Sequence, residues 1–261
     1  MGSNTKVMIP RGLESTSSGA MVDCVQRIVS MLRTTRPDDA VLTAMMPTME
    51  RVFLSSDDTP RRILMEEARQ NMRLSDLLVG RIFPDVARLL ETGWNSDRLS
   101  FVDVTIAATR LQDFVRSMGR FSLPSADAKS VVMVVPPWEQ HSLPAVFAAE
   151  QLRTMGAPTR LMSGVGAREL VSLINRVVPS AIMISVASYR SLARAPELVE
   201  SLRRGVPHAI PIVIGGPAHP DDPSGYLNVG ADFATNDLGE ALKFCNFDLS
   251  DTVHEVAFKP V

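Results

Sequence analysis

Glu139 and His141 stand two residues apart in the segment Pro136-Pro137-Trp138-Glu139-Gln140-His141-Ser142-Leu143-Pro144. A carboxylate at that offset can accept a hydrogen bond from one imidazole nitrogen and fix the tautomer. The other nitrogen is then available to a metal. A bare zinc ion would want three or four protein ligands, and no second His or Cys lies nearby in sequence. The pattern therefore suits a large, already chelated metal that takes one axial histidine. A lone loop histidine is usually only a loop histidine. Two further segments set this one apart: Ser185-Val186-Ala187-Ser188 and Gly215-Gly216-Pro217. Ser185 and Ser188 offer hydroxyl donors, and Gly215 and Gly216 let a ligand approach the backbone closely. Each is weak by itself, since a serine there can cap a helix and a Gly-Gly pair after a strand is a common turn.

These three segments need a scaffold that brings them together. Short β-rich runs occur at Val131–Val135, Thr159–Met162, Ala181–Ser185, Ile210–Ile214 and Asp232–Ala234. They are continuous rather than alternating, as expected of strands buried on both faces. Helical segments lie between them, at about Ala145–Met155, Arg168–Val177, Ala195–Arg204 and Leu238–Phe244, with a short one near Tyr226. This alternation predicts a flavodoxin-like sheet of five parallel strands, whose ligands bind outside the carboxyl ends. The three segments, and Thr235 after the last run, sit at those ends.

The preceding residues read differently. Residues 1–19 are expected to be a flexible tail. Helical periodicity follows over Met21–Leu32. A break at Arg36-Pro37-Asp38-Asp39 starts a second helix to about Phe53. Ser55 to Pro60 supplies cap residues for a third, to about Asn71. Ser75–Thr92 reads as a fourth, ending at Gly93, and Ser100–Met118 as a fifth. The expected class is thus α + α/β: a helical bundle over 20–121, a linker, a sheet domain over 127–245 and a tail over 246–261.

Composition narrows the function classes. Of 261 residues, 45% are hydrophobic and 21% charged, with a net charge of −2, which is ordinary for a soluble domain. No apolar run approaches the ~18–20 residues that span a bilayer, and the amino terminus lacks an apolar signal core. Cys24 and Cys245 are too far apart in sequence to suggest a ligand cluster or a disulfide framework, which suits the cytoplasm. No long basic run announces direct nucleic-acid binding.

The set Glu139-x-His141-x-x-Pro144, Ser185-x-Ala187 and Gly215-Gly216 resembles the cobalamin-binding signature Asp-x-His-x-x-Gly, Ser-x-Leu, Gly-Gly. Forty residues separate Pro144 from Ser185, and 27 separate Ala187 from Gly215. The resemblance covers about residues 127–245. It implies cobalamin as cofactor, His141 as the lower axial ligand of cobalt, and a slot for the nucleotide tail lined by the serine and glycine segments. Glu139, Pro144 and Ala187 depart from the pattern; the proline removes a glycine that lets the tail pass, though it also suits a helix start. Leu90-Glu91-Thr92-Gly93-Trp94 with Leu99-Ser100-Phe101-Val102 looks like the last hairpin of the helical cap that precedes such domains, which implies an aromatic face from Trp94 toward the corrin.

The Glu-His pair that light-sensing relatives carry after the cap tryptophan is replaced here by Val104 and Thr105. The resemblance is thus to the PpaA/AerR antirepressors of phototrophic bacteria. It implies a cobalamin-binding transcriptional regulator and not an enzyme, whose partner is a DNA-binding repressor of photosynthesis genes. The alternatives are a corrinoid methyl carrier of a methyltransferase system and a haem-binding sensor on the same fold. The expected cofactor-binding residues are Trp94, Glu139, His141, Ser185, Ser188, Gly215, Gly216 and Thr235, with His141 as the metal ligand.

Overall fold

In the computed structural model, residues 18–35, 37–118, 129–207, 209–216 and 229–247 are described. The chain divides into two compact units after Phe114. The linker read at 122–129 lies almost wholly outside the described residues. So do the short helix near Tyr226, Pro217, His208, His219, His254 and nearly all of both tails.

The first unit is helical, with α1 (Ser18–Thr34), α2 (Asp39–Leu54), α3 (Thr59–Gln70), α4 (Met72–Leu77), α5 (Phe83–Asn95) and the start of α6 (Phe101–Met118). Local chemistry sets the boundaries. The Asp38 carboxylate accepts the Val41 N–H at 2.8 Å and starts α2. The Asn71 side chain does the same for Leu74 at 3.0 Å and starts α4. Ser100 and Asp103 each accept the other's backbone N–H, closing a reciprocal cap on α6. Phe53, Phe83 and Phe114 meet edge to face in the core, with centroids 5.0 to 6.1 Å apart.

The fourth predicted helix is not one regular element. A π-helical stretch, Leu78–Ile82, joins α4 to α5, and α5 runs through Gly93 to Asn95. Hydrophobic spacing barely registers one wider turn, so the irregularity was invisible in the sequence. The α2 helix also tolerates Pro47 in its interior.

The second unit contains β1 (Val131–Val135), α7 (Leu143–Thr154), β2 (Thr159–Ser163), α8 (Ala167–Val177), β3 (Ala181–Ser185), α9 (Tyr189–Gly205), β4 (Ile212–Gly215), β5 (Phe233–Ala234) and α10 (Leu238–Phe244). The sheet is parallel with order β2-β1-β3-β4-β5. This is the predicted flavodoxin-like arrangement. Side-chain parity builds a core on each face. Val132, Val134, Ile182, Ile184, Ile212 and Ile214 join the buried residues of α8 and α9. Val131, Met133, Val135, Ala181, Met183 and Val213 join those of α7 and α10. The chain leaves β1 toward β2 on one side and β3 on the other, so the loops after β1 and β3 flank the switch point of the sheet.

The α9 helix begins at Tyr189, six residues before the predicted start at Ala195. Pro196 lies inside the helix. Ser188 is the true N-cap, accepting the Ser191 N–H at 3.2 Å. Among the described residues no helix is long and apolar enough to cross a membrane.

Candidate functional site

The β1 strand delivers its last buried valine at Val135, and the chain turns over Pro136 to Ser142 before α7 begins. Glu139 faces inward from this turn, with its side chain only 1% exposed. A buried carboxylate needs compensation, and this one receives it from every side. Its Oε1 accepts the His141 backbone N–H at 2.8 Å and faces His141 Nδ1 at 2.8 Å. Its Oε2 accepts the Ala187 N–H at 2.9 Å. The Ser191 hydroxyl donates as well. Burial works to raise the Glu139 pKa. The hydrogen bonds from Ser191, Ala187 and His141 outweigh it, so the carboxyl is held below its ordinary range.

An ionised Glu139 is a pure acceptor, which places the proton of His141 on Nδ1. The imidazole itself is 58% exposed. Nε2 has no protein partner among the described residues and is left as a lone-pair donor toward solvent. A carboxylate-oriented imidazole of this kind is a preset monodentate metal ligand. Among the described residues no group of three or more His, Cys, Asp or Glu side chains gathers to cage an ion. The donor set fits a metal whose other positions are already filled, and does not fit a bare cation held by protein alone.

The remaining predicted residues divide. Ser185 ends β3, is buried, and pairs in register with Gly215. Ser188 caps α9, and its hydroxyl donates to Ser191 Oγ at 3.1 Å. It therefore stands one hydroxyl behind Glu139. The two glycines are demanded by the fold itself. A Cβ on Gly215 would lie 2.2 Å from the Thr235 carbonyl oxygen, and one on Gly216 would lie 2.1 Å from that of Val186. Gly216 also adopts φ +129, which side chains disfavour. Its N–H donates to Asn236 Oδ1 at 2.6 Å. The Thr235 hydroxyl donates to Glu240 at 2.8 Å and accepts the Asp237 N–H at 3.0 Å, a contact that braces the start of α10. Pro144 occupies the second position of α7, where its missing N–H costs nothing. Trp94 belongs to the helical unit, where it is 47% exposed and meets Phe101 edge to face at 6.4 Å.

Ser191, the Ala187 N–H, Trp138 and Arg194 were absent from the predicted site; the first two bond Glu139 directly, and the other two join the chain of contacts behind Ser191. The Trp138 indole N–H donates to the Ser191 carbonyl at 3.3 Å. The Arg194 guanidinium lies 4.5 Å from the centre of the Trp138 ring. Ser191 was within reach of sequence reasoning, because it is the third residue after the serine that caps α9.

Comparison with known proteins places the chain. No protein-family model matches it. It is 30% identical over 180 residues to an uncharacterized 20.5 kDa protein encoded in the bchF–crtJ intergenic region of Rhodobacter capsulatus, across 67% of this chain and 94% of the relative. The chain belongs to the family of that protein. Among solved structures, a cobalamin-binding protein from Desulfitobacterium hafniense covers 87% of this chain, and 90% of its own, at 14% identity and a TM-score of 0.41. The methanol:cobalamin methyltransferase complex MtaBC from Methanosarcina barkeri gives 78% and 74%, at 13% identity and a TM-score of 0.32.

Proposed function

We propose that this family member binds a cobalamin through His141 and uses it to regulate a protein partner. One observation carries the reading. Buried Glu139 holds Nδ1 of His141 and leaves Nε2 outward at the switch point of a parallel sheet. Cobalamin would supply a cobalt already chelated by its corrin, and His141 would be the protein ligand that holds it. The chain supplies orientation: Glu139 sets the tautomer, Ala187 and Ser191 hold Glu139, and the sheet holds both loops. Gly215 and Gly216 keep the adjoining strand ends tight, and Ser185 is the hydroxyl at the end of β3 that would meet the nucleotide tail.

The regulatory half of the reading rests on other support. The sequence resembles the PpaA/AerR antirepressors, and the family relative's gene lies in the bchF–crtJ intergenic region. A regulator encoded beside genes it controls would occupy such a place. Ligand occupancy would then shift the population of a partner-binding form, by no more than its differential affinity for the two forms. The expected partner is a DNA-binding repressor of photosynthesis genes, relieved by contact rather than by turnover of a substrate.

Absorption spectroscopy tests the ligand. Purified protein is titrated with hydroxocobalamin and, separately, with haemin, in wild-type form and as His141→Ala. Saturable corrin bands that shift on binding, with the shift lost in His141→Ala, are the expected result. A corrin spectrum indifferent to the substitution overturns the axial assignment, and a Soret band without corrin binding selects a haem sensor. Pull-down of the repressor with and without hydroxocobalamin tests the partner, and loss of any ligand dependence overturns the regulatory reading.

A further inference from the structure

Trp138 does two things that the carboxylate–histidine pair does not require. Its indole N–H reaches across to the Ser191 carbonyl at 3.3 Å, and its ring carries the Arg194 guanidinium 4.5 Å from its centroid. The ring is half-buried against the core shared by the sheet with α8 and α9. Both partners belong to the first two turns of α9, some fifty residues on in the chain. Glu139, the next residue after Trp138, accepts the hydroxyl of the same Ser191 whose carbonyl Trp138 engages. The β1 loop is thus pinned to α9 at two adjacent points.

That arrangement matters because His141 is anchored by little else. Its ring is largely exposed, and the described contacts of the residue run through Glu139. An imidazole held only by a carboxylate two residues away is as well placed as the loop that carries both. Resting on the cobalamin reading above, we propose that Trp138 and Arg194 form a clamp that presets the His141 loop: they are positioning residues, which fix the His141 ring before a ligand binds. The indole N–H sets the height of the loop over α9. The cation on the far face holds the ring plane, an attraction that a neutral side chain of the same length lacks.

The test uses full-length protein, with hydroxocobalamin binding and, after one-electron reduction of the bound cobalt by an added chemical reductant, the paramagnetic resonance of cob(II)alamin as readouts. In protein labelled with 15N-histidine, a change of the nitrogen superhyperfine splitting from triplets to doublets reports the histidine, rather than cobalamin's own benzimidazole, on the cobalt, a property that general destabilisation does not alter. Trp138→Phe keeps the ring and removes the donor, Arg194→Gln removes the cation, and Arg194→Lys restores it. Trp138→Phe and Arg194→Gln are each expected to weaken binding about tenfold, the lower end of what outer-shell changes cost a metal site. A fraction of the cobalt should then lack the imidazole signature, while circular dichroism of the ligand-free protein stays unchanged. Arg194→Lys is expected to recover most of the loss. If wild type binds with an imidazole signal that His141→Ala abolishes, yet Trp138→Phe and Arg194→Gln match wild type in affinity and splitting, the clamp is overturned and the axial assignment stands. Wild-type protein that shows no histidine-dependent signal overturns the cobalamin reading itself. Equal losses in Arg194→Gln and Arg194→Lys overturn the role of the cation.

Discussion

Glu139 combines two properties that normally conflict. It is almost wholly buried, and it is held ionised by the donors of Ser191, Ala187 and His141. Glutamine has the same size but brings two donors of its own, so at least one of these contacts must become donor against donor. Glu139→Gln should therefore destabilise the sheet unit by about 1–3 kcal/mol at neutral pH, the cost of breaking hydrogen bonds to a buried charged group. The pH dependence follows from the lowered pKa. Glu139 binds its proton less readily in the folded protein than in the unfolded chain, whose ordinary value is 4.5. Its contribution is thus complete above that value and is lost as pH falls through the folded pKa. Thermal melts between pH 3 and 7 should show a steeper acid limb for wild type than for Glu139→Gln. Parallel acid limbs would mean that the carboxylate does not titrate as described. At this scale the sequence showed half the site. Glu139 and His141 announce each other at an offset of two, whereas Ser191 and Ala187 reach Glu139 only because β3 lies beside β1.

The elements were legible where burial alone shapes them. The runs at β1 and β3 are buried at every position, and apolar except at Ser185, because helices cover both faces, and their limits were read as they stand. Elements governed by single hydrogen bonds were harder to read. The start of α9 depends on the Ser188 cap. The end of α2 shows the same dominance of side-chain contacts. The Arg110 guanidinium donates to the Phe53 and Leu54 carbonyls at 2.7 and 3.1 Å, and Arg61 donates to those of Val52 and Ser55, both at 2.7 Å. Two arginines thus meet the carbonyls that any helix leaves unpaired at its end. Burial, and then the neighbouring Arg110, lower the Arg61 pKa from its ordinary value. Crowding of like charge is tolerated because both cations sit at the negative end of the helix dipole. Arg110→Ala should cost about 1–3 kcal/mol, because two carbonyls lose a charged donor in a half-buried place. Chemical denaturation should register that loss as a lower midpoint. A change below a few tenths of a kcal/mol would show that water replaces the guanidinium at no cost.

At the scale of the molecule, each unit holds one cysteine, which offers a separate window on each. Cys24 is half-buried in α1, and Cys245 is buried behind α10. Burial, and then the negative charge of Asp232, push the Cys245 thiol up to about 11 from 9.0. A raised thiol pKa favours the folded state below pH 9, and that contribution fades as pH rises toward 11. Near pH 8 only about one Cys245 in a thousand is a thiolate while the unit stays closed. Because Cys245 is also buried from the reagent, its alkylation should proceed mainly through opening of the sheet unit, whereas half-buried Cys24 should react faster. A ligand that binds only the closed sheet unit lowers the open population by the factor 1 + [L]/Kd. Hydroxocobalamin at about a hundredfold excess over its dissociation constant should thus slow Cys245 labelling by about a hundredfold when opening is in rapid equilibrium. The protection should vanish in His141→Ala at the same concentration. Mass spectrometry after timed alkylation resolves the two thiols in one sample, so Cys24 serves as an internal reference for reagent reactivity. Labelling of Cys245 that is as fast with the ligand as without it would mean that hydroxocobalamin does not engage the closed sheet unit. That result would stand whatever the absorption spectra show, because it measures linkage to folding rather than colour.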